Sequence, residues 1–122
     1  MFAADITVAA VAAVFFAGMG AFALASPTRL IAPFAITLGS ATARSEVRAV
    51  YGGFGVAMAA ILVVAVVDLQ LRPGILMTVA AALAGMAFGR LVSAFDGQTG
   101  FYPNWFYFIV EAAGASALFV VA

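Results

Sequence analysis

The sequence predicts an all-α integral membrane protein: an antiparallel bundle of four transmembrane helices, with a short interfacial segment between the first and second. Three observations carry that prediction. Of 122 residues, 67% are hydrophobic and 8% charged, against about 45–50% and about a quarter in soluble domains, and so few polar groups cannot cover a water-soluble fold. The mean hydropathy is +1.23. The apolar residues fall in long unbroken runs, enough for four helices at about 20 residues each, and their polarity does not alternate as in barrel strands.

The first run, about 6–25, carries no charge. Met1-Phe2-Ala3-Ala4-Asp5 lacks the basic stretch of a cleavable signal, so this run is expected to stay as an anchor. Ser26-Pro27 stops it and offers a cap and first residue for a new helix. Leu30, Ile31, Phe34 and Leu38 then share one helical face. That spacing suits a short helix lying in the membrane interface and ending near Gly39, with an extended re-entry around Pro33 as the alternative. The second run covers about 46–67. Asp68 to Arg72 reads as a tight turn, and Pro73 opens the third run, about 73–95, interrupted in charge only by Arg90. Gly97 to Pro103 is a second turn, Asn104 is a plausible cap, and the fourth run, about 104–122, contains Glu111. Phe101, Tyr102, Trp105, Phe106 and Tyr107 around that cap suit the headgroup layer. The chain reads as one domain over 1–122.

In lipid, helices associate through small residues that let backbones approach. Every-four spacing of such residues occurs at Ala13, Ala17, Ala21 and Ala25 in the first helix and at Ala49, Gly53 and Ala57 in the second, with Gly52 beside them. It recurs at Ala81, Gly85, Gly89 and Ser93 in the third and at Ala113 and Ala117 in the fourth. Gly85-xxx-Gly89 is the strongest of these signals. Arg29, Arg44, Arg48 and Arg90 fall on the side of the first and third connections and Arg72 alone on the other, so the excess of basic residues inside predicts both termini outside.

The sequence has no Cys and no His. That removes disulfides, thiolate nucleophiles, iron–sulfur and zinc–thiolate sites, and the usual ligand for haem, zinc or copper. Zero net charge argues against a nucleic-acid surface. No metal site, cofactor or catalytic set is expected, and an enzyme is the third-ranked reading.

The ionisable residues inside the predicted helices gather near one rim: Glu46 and Arg48 at the start of the second helix, Arg90 near the end of the third with Asp96 beyond it, and Glu111 in the fourth. Charges at membrane depth are costly and face the bundle interior. Glu111, the deepest acid, is expected in an Arg48–Glu111–Arg90 cluster, with Tyr51 as a hydrogen-bonding neighbour. Arg48 has the greater need, because a cation at a helix N-terminus opposes the helix dipole. Three readings stay open: a structural clasp, a site for the head of a lipid, quinone or other amphiphile gripped by guanidinium groups, and a proton pathway. The last would need polar groups across the membrane, where the opposite half offers Thr7, Thr78 and Ser116.

Arg44-Ser45-Glu46-Val47-Arg48-Ala49-Val50-Tyr51-Gly52-Gly53 and Gly89-Arg90-Leu91-Val92-Ser93-Ala94-Phe95-Asp96-Gly97 resemble the two signature stretches of an uncharacterised bacterial membrane family, domain of unknown function 4345. Glu111 matches its acidic residue in the last helix. The resemblance implies four membrane helices in the bacterial inner membrane. It marks Glu46, Arg48, Tyr51, Gly52, Gly53, Gly89, Arg90, Ser93, Asp96, Gly97 and Glu111 as motif residues, with no reaction attached. The leading functional expectation is a non-catalytic accessory subunit bound to other membrane proteins and to lipid. The alternative is a binder of a small amphiphile through the Arg/Glu cluster.

Overall fold

A computed structural model describes residues 2–122; Met1 of the expected 1–122 domain lies outside them. Four of its helices are long and apolar enough to cross a membrane: Ala4–Ala25, Ala41–Val67, Arg72–Ser93 and Phe101–Val121. The first lies within α1 (Phe2–Ala25). After it come a short helix α2 (Pro27–Ile31) and a 3-10 turn (Ala32–Phe34). The second long helix joins α3 (Ala41–Val47), a wide π-helical turn (Arg48–Gly53) and α4 (Phe54–Val67). The third is α5 (Arg72–Ser93), and the fourth consists of a kinked lead-in (Phe101–Trp105) and α6 (Phe106–Val121). No strand occurs among the described residues.

Local chemistry moves several expected boundaries. Ala35 takes a left-handed conformation (φ 59°) and closes the 3-10 turn, so the connecting segment stops at Phe34 rather than near Gly39. Ser40 is extended and its Oγ accepts the Ala43 N–H at 3.1 Å. This cap satisfies an otherwise orphan donor and starts the second helix at Ala41, earlier than 46. Asp68 Oδ1 accepts the N–H groups of Gln70 and Leu71 at 2.9 and 3.1 Å, which tightens the turn before α5. Ser26 does not cap α2 through its side chain, although Pro27 opens that helix. Asn104 is not the expected cap of the fourth helix; Tyr102 (φ −101°, ψ 133°) kinks the lead-in, and the Asn104 side chain is engaged elsewhere.

The interior is built from small side chains and the exterior from large ones. Ala9, Ala13, Ala59, Ala65, Ala80 and Ala115 are buried beside Phe16, Leu62, Leu76 and Leu118, whereas Val14 (74% exposed), Phe88 (66%) and Val120 (84%) face outward. Such an inversion suits a lipid environment, in which large apolar groups gain little by leaving the surface and close backbone approach is favoured.

α1 packs most extensively on α4, and α5 on α6; α4 with α5 and α1 with α6 touch less. At the α1–α4 crossing, backbones meet. A Cβ on Gly20 would lie 2.7 Å from Val56 N and 2.8 Å from Gly52 O; one on Gly55 would lie 2.9 Å from Gly20 Cα. A Cβ on Gly52 would strike Leu24 at 2.8 Å. The pairing of Phe16 with Gly55 and of Leu24 with Gly52 makes the two helices antiparallel.

Of the glycines expected to pack helices, only Gly52 does so. Gly53, Ala81, Gly85 and Gly89 are exposed, and a Cβ on Gly85 or Gly89 would meet nothing within 4 Å. The buried positions of α1 (Ala9, Ala13, Phe16, Gly20, Ala23) step alternately by four and three, and those of α5 (Arg72, Leu76, Val79, Ala80, Leu83, Ala87) also move by threes and fours, with Val79 and Ala80 both buried. That average of 3.5 keeps a seam facing its partner along a left-handed bundle. Strict every-four stripes rotate away from such a seam and suit right-handed crossings instead. In the second helix the wide turn adds a further offset: Val47 and Gly52 are both buried five residues apart, which turns Ala49, Gly53 and Ala57 outward.

At the end opposite the motif residues, Arg72 is buried (6% exposed). Its Nε donates to Ala65 O at 2.7 Å, Nη2 to Val66 O at 2.8 Å and Nη1 to Asp5 Oδ2 at 3.1 Å. It thus holds the last carbonyls of α4 and the first turn of α1 together.

A methyl at the backbone crossing has no room, while one on α5 projects into open space. Gly20→Ala is expected to lower stability in detergent by about 1–3 kcal/mol, as overpacking does. Gly85→Ala is expected to be neutral or stabilising by up to about 1 kcal/mol through helix propensity. Thermal or SDS unfolding of both variants checks the pair.

Candidate functional site

The fourth helix carries its one acid, Glu111, where α5 and α6 face each other, and the residue is 3% exposed. A carboxylate so placed must be neutralised or paired. Arg90, near the C-terminal end of α5, supplies a two-point grip: Nε to Oε1 at 2.7 Å and Nη2 to Oε2 at 3.0 Å. The third nitrogen, Nη1, donates to Asn104 Oδ1 at 3.3 Å. This orients the Asn104 amide and leaves its buried Nδ2 without a partner. The guanidinium carbon of Arg90 lies 5.8 Å from the ring centroids of both Phe34 and Tyr107, within reach of cation–π attraction. Phe34 comes from the 3-10 turn, so the segment after α1 is laid across the top of this ion pair.

Arg48 does not join the cluster, contrary to expectation. Its Nε donates to Leu24 O at 3.0 Å, and among the described residues it forms no ion pair. The reason is electrostatic: Leu24 lies in the last turn of α1, whose carbonyls have no helical partner and carry the negative end of the dipole. The antiparallel neighbour therefore offers the negative potential that Arg48 lacks at the start of its own helix. Glu46, Ser93, Asp96 and Gly97 are exposed, outside the cluster. Charge is also not confined to one rim, since Asp5 and Arg72 form a second pair at the far end.

Beside the Arg90–Glu111 pair is a cavity of about 440 Å³. Phe16, Met19 and Phe22 of α1, Arg29 and Leu30 of α2, and Leu83 and Met86 of α5 line it. Tyr51, Tyr102, Tyr107, Arg90 and Glu111 supply its polar groups. A second cavity, of about 330 Å³, continues between α1 and α6, bounded by Val8, Val11, Ala12, Val110, Gly114 and Leu118. Phe15, Phe16 and Leu83 border both. The two lie side by side along α1, where α1 and α6 are loosely packed, and are together called the crevice; the first holds the polar groups and the second is almost entirely apolar. Arg90 and Glu111 are brought together as the sequence suggested, whereas Tyr51 lines the cavity without the hydrogen bond expected of it. Arg29 was legible only as a rim charge, and Tyr102 and Tyr107 only as water-boundary aromatics. Nothing in the spacing pointed to Asn104 or Phe34 as partners of Arg90.

The donor set does not suit a metal. Glu111, the one acid at the cavity, has both oxygens occupied by Arg90, and no three His, Cys, Asp or Glu side chains converge among the described residues. The arrangement suits instead a ligand with a small polar head and an apolar body, the composition of most small-molecule pockets.

Removing the Glu111 carboxylate strands a partly buried guanidinium, so Glu111→Ala is expected to cost about 3–5 kcal/mol. Arg48→Ala loses one charge-assisted hydrogen bond and is expected to cost about 1 kcal/mol. Equal losses in denaturation of the two variants would contradict this geometry.

A family model, Domain of unknown function (DUF4345), matches residues 6–122. The chain belongs to that family. No curated protein and no solved structure matches it.

Proposed function

We propose that this member of DUF4345 is a multi-pass protein of the bacterial inner membrane that binds a small amphiphile, a lipid, quinone or similar molecule, in the crevice beside Arg90 and Glu111. The carrying observation is the adjacency of two cavities that share Phe15, Phe16 and Leu83 as walls, one lined by Arg29, Arg90 and three Tyr, the other almost entirely apolar. An amphiphile presents the same division. The role is one of binding rather than turnover, with membrane lipid as the surrounding partner.

Four antiparallel transmembrane helices account for the small-inside, large-outside packing, and the α2 segment then lies in the interface, where Phe34 caps the site. Both termini are read as periplasmic. Arg29, Arg44, Arg48 and Arg90 lie toward one end, and the one Arg of the other end, Arg72, is buried against Asp5. That distribution fits an excess of basic residues on the cytoplasmic side.

A second reading, as an accessory subunit of a larger membrane complex, is favoured by a different surface. Ala81, Gly85 and Gly89 form an exposed stripe on α5, and helices of other membrane proteins approach closely over such stripes. In mild detergent, this reading expects the chain to migrate with another subunit; a chain found alone or only with its own copies would count against it.

Gly18 lines the first cavity, and a Cβ there meets nothing within 4 Å, so Gly18→Phe fills the cavity without disturbing helix packing. Mass spectrometry of small molecules extracted from the purified protein is expected to find an amphiphile with the wild type and to lose it with Gly18→Phe at unchanged thermal stability. The same extract from both proteins would remove the crevice as the binding site.

A further inference from the structure

We infer that the occupant of the crevice is a long-chain carboxylate, its head held by Arg29 and its single chain lying between α1 and α6. This rests on the amphiphile reading and adds the charge and shape of the ligand.

The charge follows from counting what already has a partner. Three ionised groups line the first cavity: Arg29, Arg90 and Glu111. Both Glu111 oxygens are taken by Arg90, so that pair compensates itself. Arg29 makes neither an ion pair nor a side-chain hydrogen bond among the described residues, and the cavity is left with one positive charge. Arg29 is exposed, so its charge does not demand a partner, but a carboxylate offers it a charge-assisted hydrogen bond that a neutral quinone offers only in weaker form. The Tyr51 hydroxyl, which lines the same cavity and likewise has no hydrogen-bonded partner among the described residues, is a second donor for the same head.

The shape follows from the crevice. Cavities of about 440 and 330 Å³ are the size that holds one small ligand, not a two-chain phospholipid. From Phe22 down to Thr7 the lining of α1 covers about 22 Å at 1.5 Å per residue, the length of an extended palmitoyl-type chain. Along the lower part of that path the walls are Val8, Val11, Ala12, Val110 and Leu118, which offer an acyl chain only apolar contact.

Equilibrium binding of radiolabelled palmitate and of its uncharged methyl ester to the full chain in a non-ionic detergent, at mildly alkaline pH, tests this. The wild type is expected to hold palmitate about tenfold or more tighter than the ester, the worth of one charge-assisted hydrogen bond. Arg29→Gln is expected to abolish that preference by weakening palmitate far more than the ester; Gly18→Phe is expected to lose both ligands. Equal affinity for acid and ester, or a preference that survives Arg29→Gln, overturns the carboxylate while leaving an amphiphile in place. A lysophosphatidate of the same chain that displaces palmitate at lower concentration shows a phosphate head and also overturns it. No binding of either ligand, or binding that Gly18→Phe does not weaken, overturns the crevice reading itself.

Discussion

The contact of bare backbone between α1 and α4 sets the shape of everything around it. Gly20, Gly52 and Gly55 bring the two helices closer than any side chain would allow, and a helix drawn so tightly onto one neighbour cannot also close on the neighbour at its other side. α1 therefore stands off from α6, and the space between them is the crevice. Phe16, which borders both cavities, lies one turn from Gly20 on the same seam of α1, with its carbonyl against Gly55. The crossing and the cavity walls thus share one stretch of α1.

A single electrostatic rule places the cations. Each guanidinium that is fixed lies at the carboxyl end of some helix: Arg90 near the end of its own, Arg72 on the last carbonyls of α4, Arg48 on Leu24 of α1. Antiparallel packing brings the end of one helix beside the beginning of the next, so an Arg that opposes its own helix dipole meets the favourable pole of its neighbour. Carboxylates then complete the arrangement at Glu111 and Asp5. Of the cations at the cavity, only Arg29 remains uncommitted among the described residues.

The all-helical character and the four helices of membrane-crossing length were legible because the long hydrophobic runs leave almost no alternative, and Arg90 with Glu111 was legible because a deep carboxylate demands a cation. Two kinds of information were hidden. Small residues at every fourth position looked like seams, but Ala and Gly are abundant in all four helices, and the true seams step by four and three with Phe16, Leu76 and Leu83 among them. The wide turn at Arg48–Gly53 then rotates the following residues in a way no regular helical wheel contains. Arg48 was misplaced because its own helix was considered and the end of α1 was not. The pairing of Arg72 with Asp5 was hidden because the two lie 67 residues apart in sequence, beyond any local pattern.

That long separation bears on how the molecule is put together. Asp5 is synthesised with the first long helix, whereas the guanidinium that neutralises it arrives only after the second, at the start of the third. The closing of this pair is consequently a late event of assembly, a latch that can engage only once the α4–α5 hairpin stands beside the helix that was made first.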